Sequence, residues 1–155
     1  DYVYTQTDIN ELMEEIESQM KLKNKSEEVT VLFDHKLPQC VIYTDRNRLM
    51  QVMINFLTNA LKFTFKGTVT FGYTLDETGK KIRFYVKDTG IGIPEDKKDK
   101  IFDRFVKLNS FAQGTGLGLP ICAMIAEKFG GSIGVESKEG EGSLFWMEIP
   151  VQKTE

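Results

Sequence analysis

The chain has 155 residues, of which 41% are hydrophobic and 28% are charged, and its formal net charge is −3. We expect residues 1–155 to form a single globular domain. The negative balance argues against a dedicated nucleic-acid binder, and no apolar run is long enough for direct membrane insertion.

Three residues bear on the cellular compartment and on metal binding. Cys40 and Cys122 lie far apart in apolar surroundings, so we expect two reduced core thiols and a reducing compartment. His35 is the only histidine, and we expect it at the surface because it has no zinc-site or triad partners.

The first 43 residues predict one helix and three short strands. Asp8, with Glu11 three residues later, resembles a capping box, and the apolar spacing that follows predicts a helix to about Leu22. The expected strands are residues 2–5, 29–33 and 40–43.

A second helix is predicted over residues 45–64, with Asp45 as N-cap and Gly67 as a left-handed C-terminal cap. Its apolar stripe consists of Leu49, Met53, Phe56, Leu57 and Ala60, and its polar stripe of Arg48, Gln51, Asn55, Asn59 and Lys62. Two explanations of the polar stripe stay open. The amides could bond to nearby backbone while the lysine reaches water, or the stripe could face a polar, anionic ligand.

The second half of the chain predicts a hairpin, two helices and a second strand pair. Its predicted strands are 68–75, 82–88, 132–137 and 143–151, with Gly79 in the hairpin turn; a short helix is expected around residues 101–105 and a longer one over 117–129. Helices on one face of a largely antiparallel sheet define an α+β, two-layer α/β sandwich.

Two glycine clusters suggest binding chemistry. The run from Gly114 to Leu119 opens a helix, where backbone amides attract anions, although it matches neither the dinucleotide fingerprint nor a P-loop. In Asp88-x-Gly90-x-Gly92, a carboxylate could accept a hydrogen bond from an exocyclic amine while a flat ring lies against the glycines. Alone, the first could be a flexible loop and the second a plain turn. Together with the polar helix stripe, they favour a nucleotide.

In these motifs the chain resembles the catalytic, ATP-binding domain of sensor histidine kinases of two-component signalling. The four family boxes occur in order, as N-F-L-T-N-A-L-K-F-T (55–64), D-T-G-I-G-I-P (88–94), I-F-D-R-F (101–105) and G-T-G-L-G-L (114–119). The resemblance covers nearly the whole chain and implies the Bergerat ATP-binding fold, with ATP and Mg²⁺ as ligand and cofactor.

The resemblance also implies roles for single residues. Asn59 would ligate Mg²⁺, Asn55 would support the metal–phosphate end, and Lys62 would contact phosphate. Asp88 would accept the adenine amine, Gly92 would pack under the ring, and Ser143 stands where the family often has a threonine that helps bind adenine. The other nucleotide contacts implied are Gly90, Ile93, Phe102, Gly114, Thr115, Gly116, Leu117 and Gly118.

The same resemblance implies a lid over residues 94–116, anchored by Phe102 and Phe105, from which Arg104 or Lys107 would reach the γ-phosphate. The acceptor would be a histidine on a separate dimerisation domain, which this chain lacks, and a response regulator would act downstream. We therefore expect a cytoplasmic domain of a longer, membrane-anchored sensor that binds ATP but does not phosphorylate itself.

Three alternatives remain open at this stage. A related ATPase of the gyrase B or MutL type would carry a glutamate where this chain has Asn55, and an amide cannot activate water as a base. A serine/threonine kinase resembling an anti-sigma factor shares the boxes. A degenerate docking module would have lost nucleotide binding altogether.

Overall fold

The computed structural model describes residues 1–102 and 118–152. Its strands are β1 (Thr5–Asp8), β2 (Val29–Phe33), β3 (Val41–Thr44), β4 (Gly67–Leu75), β5 (Lys81–Asp88), β6 (Ser132–Lys138) and β7 (Gly142–Pro150). Its helices are α1 (Ile9–Lys23), α2 (Arg46–Phe63), a 3₁₀ helix (Glu95–Lys100) and α3 (Gly118–Lys128).

The main sheet has five strands in the order β2-β4-β5-β7-β6. Among the strands of the described residues, β2 and β4 alone pair in parallel, with Val29 opposite Gly67, and the other pairs of this sheet are antiparallel. The predicted α+β sandwich and its four main strands are therefore confirmed, with β2 as the additional edge strand. In this order β5 lies at the centre of the sheet, and Asp88 is its last residue.

The core lies between the three helices and one face of the sheet. Residues with no exposed surface come from both layers: Leu12 and Ile16 from α1, Leu49, Met53, Phe56 and Leu57 from α2, Phe71 from β4, Ile82, Phe84 and Val86 from β5, and Met147 from β7. The alternation predicted for β5 is confirmed, because the three residues predicted to face inward, Ile82, Phe84 and Val86, have no exposed surface. Burial of this apolar surface is the main stabilisation of the fold.

Both predicted N-caps are present. The Asp8 carboxylate accepts the Glu11 amide at 3.1 Å, and Asp45 Oδ1 accepts the Arg48 amide at 3.0 Å. Asp45 Oδ2 also accepts the Val3 amide at 2.8 Å, so this carboxylate ties the N-terminal segment to the start of α2.

Two local predictions were wrong. The first strand occupies Thr5–Asp8 instead of residues 2–5, because its register is set by antiparallel pairing with β3 in a separate two-stranded sheet. Helix α2 ends with Thr64 as its extended C-cap, and Gly67, at φ +131°, begins β4 instead of capping the helix. A Cβ on Gly67 would lie 2.0 Å from Thr89 Oγ1, so the glycine is required there by close packing.

The segment after Pro94 differs in part from the predicted helix around residues 101–105. A 3₁₀ helix ends at Lys100, Ile101 is buried at 1% exposure, and residues 103–117 lie outside the described part of the chain. His35 is exposed, and both cysteines are buried and outside any disulfide, as expected. Within residues 1–102 and 118–152, no helix combines the length and apolarity needed to cross a bilayer.

Candidate functional site

The site is built around Asp88 at the end of the central strand β5. Its side chain is only 4% exposed, and Oδ1 accepts the amide of Gly90 at 2.9 Å and that of Ser143 at 3.2 Å. Burial raises the pKa of the Asp88 carboxyl above its ordinary value, and the two amide donors oppose part of that rise. An ionised carboxylate has about four acceptor positions, so it can accept further hydrogen bonds from a ligand.

The turn after Asp88 is fixed against the C-terminal end of α2. The Ile91 amide donates to the Phe63 carbonyl at 3.1 Å. A Cβ on Gly90 would lie 2.3 Å from that same carbonyl oxygen, so no other residue type fits without displacing backbone. This contact joins the predicted base-binding turn to the helix end that carries Lys62.

The other side of the turn is fixed by the β6–β7 hairpin. The Ile93 amide donates to Ser137 Oγ at 2.7 Å, and the hydroxyls of Ser137 and Ser143 lie 2.8 Å apart. Gly92 has φ +74°, and a Cβ there would lie 2.3 Å from the Lys138 carbonyl oxygen. Gly92 therefore permits close approach of the hairpin, and Ile93, 5% exposed, packs into the core.

The polar stripe of α2 ends at Lys62, directly before Phe63, whose carbonyl is bonded to the turn. Asn55 and Asn59 are half-buried and Lys62 is exposed, whereas the opposite face of the helix is buried. At the start of α3, a Cβ on Gly118 would lie 2.9 Å from Asn55 Oδ1. The end of the second glycine box and the first residue of the asparagine box are thus direct neighbours.

Phe102 is joined to the core by ring contacts. Its ring lies edge-on to Phe145 at 6.4 Å between centroids, and Phe145 lies 5.5 Å from Phe56 on α2. Arg104, Lys107 and the residues Gly114, Thr115, Gly116 and Leu117 lie outside the described residues, so their predicted roles stay predictions. The described part of the site therefore contains the turn after Asp88 and the polar stripe of α2.

Polar side chains lie at both ends of the site, at the turn after Asp88 and along α2. Asp88 offers a buried acceptor, the half-buried amides of Asn55 and Asn59 offer carbonyl oxygens, and Lys62 offers an exposed cation. Among the described residues no group of three His, Cys, Asp or Glu side chains is placed to hold a metal ion. A hard cation would therefore rely on an amide oxygen together with oxygens of a ligand, which suits Mg²⁺.

Ser137 contributes to the site but was not identified from sequence, and Thr64, the last residue of the asparagine box, was given no role of its own. Ser137 stands opposite Ser143 across the β6–β7 hairpin, so its position could have been found by pairing the two strands around Gly140. Thr64 Oγ1 would lie 2.8 Å from a Cβ on Gly90. The contact between Thr64 and Gly90 was not predicted, because the two residues are distant in sequence.

A family model, sequence relatives and solved structures all indicate the same protein family. The family model described as histidine kinase-, DNA gyrase B-, and HSP90-like ATPase matches residues 44–153. The aerobic respiration control sensor protein ArcB of Escherichia coli (strain K12) is 43% identical over 118 residues, which cover 73% of this chain. The match spans only 15% of the length of ArcB.

Two solved structures have the same fold as this chain. The nucleotide-free catalytic domain of the histidine kinase ThkA superposes with a TM-score of 0.85 at 34% identity, covering 97% of each chain. Full-length ShkA in complex with AMPPNP gives a TM-score of 0.89 at 31% identity, covering 99% of this chain and 32% of ShkA.

Proposed function

Because this chain belongs to the histidine kinase-, DNA gyrase B-, and HSP90-like ATPase family and is a histidine kinase catalytic domain, we propose that it binds ATP with Mg²⁺ and presents the γ-phosphate to a histidine on a separate dimerisation domain. The observation that carries this proposal is the buried Asp88 carboxylate, oriented by the amides of Gly90 and Ser143. A fixed acceptor at the end of a rigid strand suits the exocyclic amine of adenine.

At the base end, Asp88 would bind the adenine amine, Gly90, Gly92 and Ile93 would line the ring, and Ser143 would assist from β7. In the structure Gly92 has a positive φ and packs closely against the Lys138 carbonyl of the hairpin, so its assignment to the ring rests on the family resemblance. These residues select and orient the nucleotide; they do not take part in the transfer itself.

At the phosphate end, Asn59 would ligate Mg²⁺, with Asn55 beside it and Lys62 on the exposed side of α2. When bound, the metal ion supplies charge neutralisation at the phosphate oxygens. Lys62 adds positive charge, and Gly118, adjacent to Asn55, brings the start of α3 to the same end. Phosphoryl transfer depends mainly on such positioning and charge stabilisation.

The remaining contacts are proposed from the family resemblance. Arg104 or Lys107 would approach the γ-phosphate, and the amides of the second glycine box would bind phosphate oxygens within a lid of residues 94–116. Phe102 supports a lid anchored at this end, since its ring packs on Phe145. The whole unit, residues 1–155, would act as one domain on the cytoplasmic side of a longer sensor.

The partners follow from this activity. We expect the acceptor histidine on a dimerisation domain elsewhere in the full protein, and the receiver domain of a response regulator as the next acceptor. His35 is not suited as acceptor, because it directly follows strand β2 and lacks the phosphoacceptor context of the family.

Titration calorimetry with AMPPNP, with Mg²⁺ and with EDTA, tests the binding step. We expect binding that is strengthened by Mg²⁺, and an Asn59→Ala variant in which the Mg²⁺-dependent gain is largely lost. Absence of AMPPNP binding at millimolar Mg²⁺ would favour a docking module instead.

A transfer assay tests the catalytic step. With radiolabelled ATP, the chain alone should form no acid-labile phosphohistidine, and label should appear on an added dimerisation domain from the same protein. Rapid ATP hydrolysis that is abolished in Asn55→Ala would favour the ATPase alternative.

A further inference from the structure

The side chain of Asn55 on α2 has two neighbours on α3. A Cβ built on Gly118 would lie 2.9 Å from Asn55 Oδ1 but 4.0 Å from Nδ2, so the oxygen is the end of the amide nearer to the start of α3. The second neighbour is the thiol of Cys122, which forms a hydrogen bond with the Asn55 side chain. Gly118 and Cys122 are four residues apart and therefore lie on the same face of α3, so one face of this helix contacts the amide at two points.

The thiol of Cys122 is also in contact with the backbone of α2. Its sulfur lies 4.0 Å from the Val52 carbonyl oxygen, to which the S–H group can donate. Val52 and Cys122 have no exposed surface, and Val52 precedes Asn55 by nearly one helical turn. The sulfur therefore has a fixed place between α2 and α3, beside the half-buried side chain of Asn55.

The hydrogen bond between Asn55 and Cys122 runs from the amide to the sulfur. Burial raises the pKa of the Cys122 thiol to about 12, and the bond with Asn55 opposes part of that rise. A hydrogen bond lowers a thiol pKa when the sulfur accepts it, and the donor group of an asparagine side chain is its NH₂. With NH₂ bound to the sulfur, the amide oxygen lies toward Gly118, in agreement with the distances to that residue.

The orientation of an asparagine amide decides which groups it can bind. Its oxygen can bind a hard cation, directly or through a coordinated water, whereas its NH₂ group can only donate hydrogen bonds. The two ends have nearly the same shape, so the orientation is set by neighbours that bind one end selectively. A buried sulfur acceptor beside Asn55 is such a neighbour.

We propose that Cys122 is a positioning residue for nucleotide binding: its sulfur accepts the NH₂ group of Asn55 and thereby keeps the amide oxygen at the start of α3, facing the metal–phosphate end of the ligand. The thiol acts through Asn55 and does not touch the nucleotide. The role belongs to a core residue outside the four sequence boxes, and it rests on the nucleotide-binding function proposed above.

Two substitutions of Cys122 separate hydrogen bonding from packing. Cys122→Ala removes the acceptor, and Cys122→Ser replaces it by a hydroxyl that also accepts. In calorimetric titrations with Mg²⁺, Cys122→Ala should bind AMPPNP about 2- to 13-fold more weakly than the wild type, the range for one neutral hydrogen bond, and Cys122→Ser should bind like the wild type. With EDTA in place of Mg²⁺ the three proteins should bind alike, because the Asn55 oxygen then has no cation to bind.

Cys40 provides the matched control, because it is also buried and outside any disulfide. It is 7% exposed and contacts Tyr73, which pairs with Phe84 toward the opposite end of β5 from Asp88. Cys40→Ala removes the same thiol group and should leave the Mg²⁺-dependent affinity unchanged. A similar loss in both alanine variants, or a loss in Cys122→Ser equal to that in Cys122→Ala, would overturn the positioning role.

Nuclear magnetic resonance of the nucleotide-free protein tests the hydrogen bond itself and requires only the folded wild type. The side-chain NH₂ of Asn55 should exchange its hydrogens with water more slowly than that of the exposed Asn47, and equally fast exchange would overturn the proposal. If the wild type binds AMPPNP and Cys122→Ala binds it equally well with Mg²⁺, only the role of Cys122 fails. If the wild type binds no AMPPNP, the proposed function itself fails.

Discussion

Replacing Asp88 by asparagine should separate nucleotide recognition from folding. The amide oxygen of the new side chain can still accept from Gly90 and Ser143, as Oδ1 does now at 2.9 and 3.2 Å. The other carboxylate oxygen becomes an NH₂ donor, which would face the adenine amine, another donor. The variant therefore loses an acceptor without losing the bonds that position the side chain.

The expected size of the loss follows from the charge of the acceptor. Hydrogen bonds to charged groups contribute about 1.5–3 kcal/mol, which corresponds to about 13- to 160-fold in affinity. Calorimetric titration with AMPPNP and Mg²⁺ measures it directly. Glu77→Gln is the matched control, because it also removes one negative charge but lies exposed in the turn at the opposite end of β5.

The Asp88→Asn substitution should not lower the free energy of unfolding, although it weakens nucleotide binding. Burial holds the folded-state pKa of Asp88 above its ordinary value, so the ionised carboxylate destabilises the folded state. This cost is complete above the raised pKa, declines as the pH falls from there to the ordinary value, and is absent below it. Urea unfolding of Asp88→Asn should therefore give a free energy no lower than wild type at pH 8, with the difference narrowing on acidification. Wild-type affinity in Asp88→Asn would refute its assignment as the base acceptor.

Three further outcomes are expected. Gly118→Ala should reduce Mg²⁺-dependent AMPPNP affinity several-fold with little change in melting temperature, because the new Cβ would lie 2.9 Å from the flexible end of Asn55; an unchanged titration would separate these residues from the phosphate end. Burial raises the pKa of Tyr73 from 10.0 to about 12, so the folded state keeps a phenolic proton that the unfolded chain loses. The free energy of unfolding should therefore fall between pH 10 and 12. Absorbance at 295 nm follows the ionisation of the tyrosine, and urea midpoints at several alkaline pH values follow the stability. Burial also raises the pKa of the Cys122 thiol to about 12, so it should resist Ellman's reagent at pH 8 unless the chain is unfolded, and fast labelling of the folded protein would contradict that burial.

Elements with a strong local pattern were predicted closely from sequence. Strand β2 has the predicted bounds, and both helix starts follow capping residues, Asp8 and Asp45, whose side chains make the expected bonds. Local capping chemistry and apolar spacing are sufficient there, because partner and pattern lie within one helical turn.

Features set by distant partners were not predictable in this way. Strand β1 takes its position from β3, and Gly67 is a glycine because Thr89 packs against it, not because a helix ends there. At the site, Asp88 and Ser143 were found through the family motifs. Ser137 was not, and Thr64 was included in the asparagine box without a role, since their neighbours Ile93 and Gly90 become close only when the sheet is assembled.

The location of Asp88 on the central strand has a consequence for the effect of destabilising mutations elsewhere in the core. Strands in the middle of a sheet exchange their amide hydrogens only when the entire domain opens, so β5 should be among the last segments to lose protection. A core mutation remote from the cleft would then reduce the number of folded molecules without altering which base each surviving molecule prefers. Discrimination between purines would persist, undiminished per molecule, up to the temperature at which the domain melts.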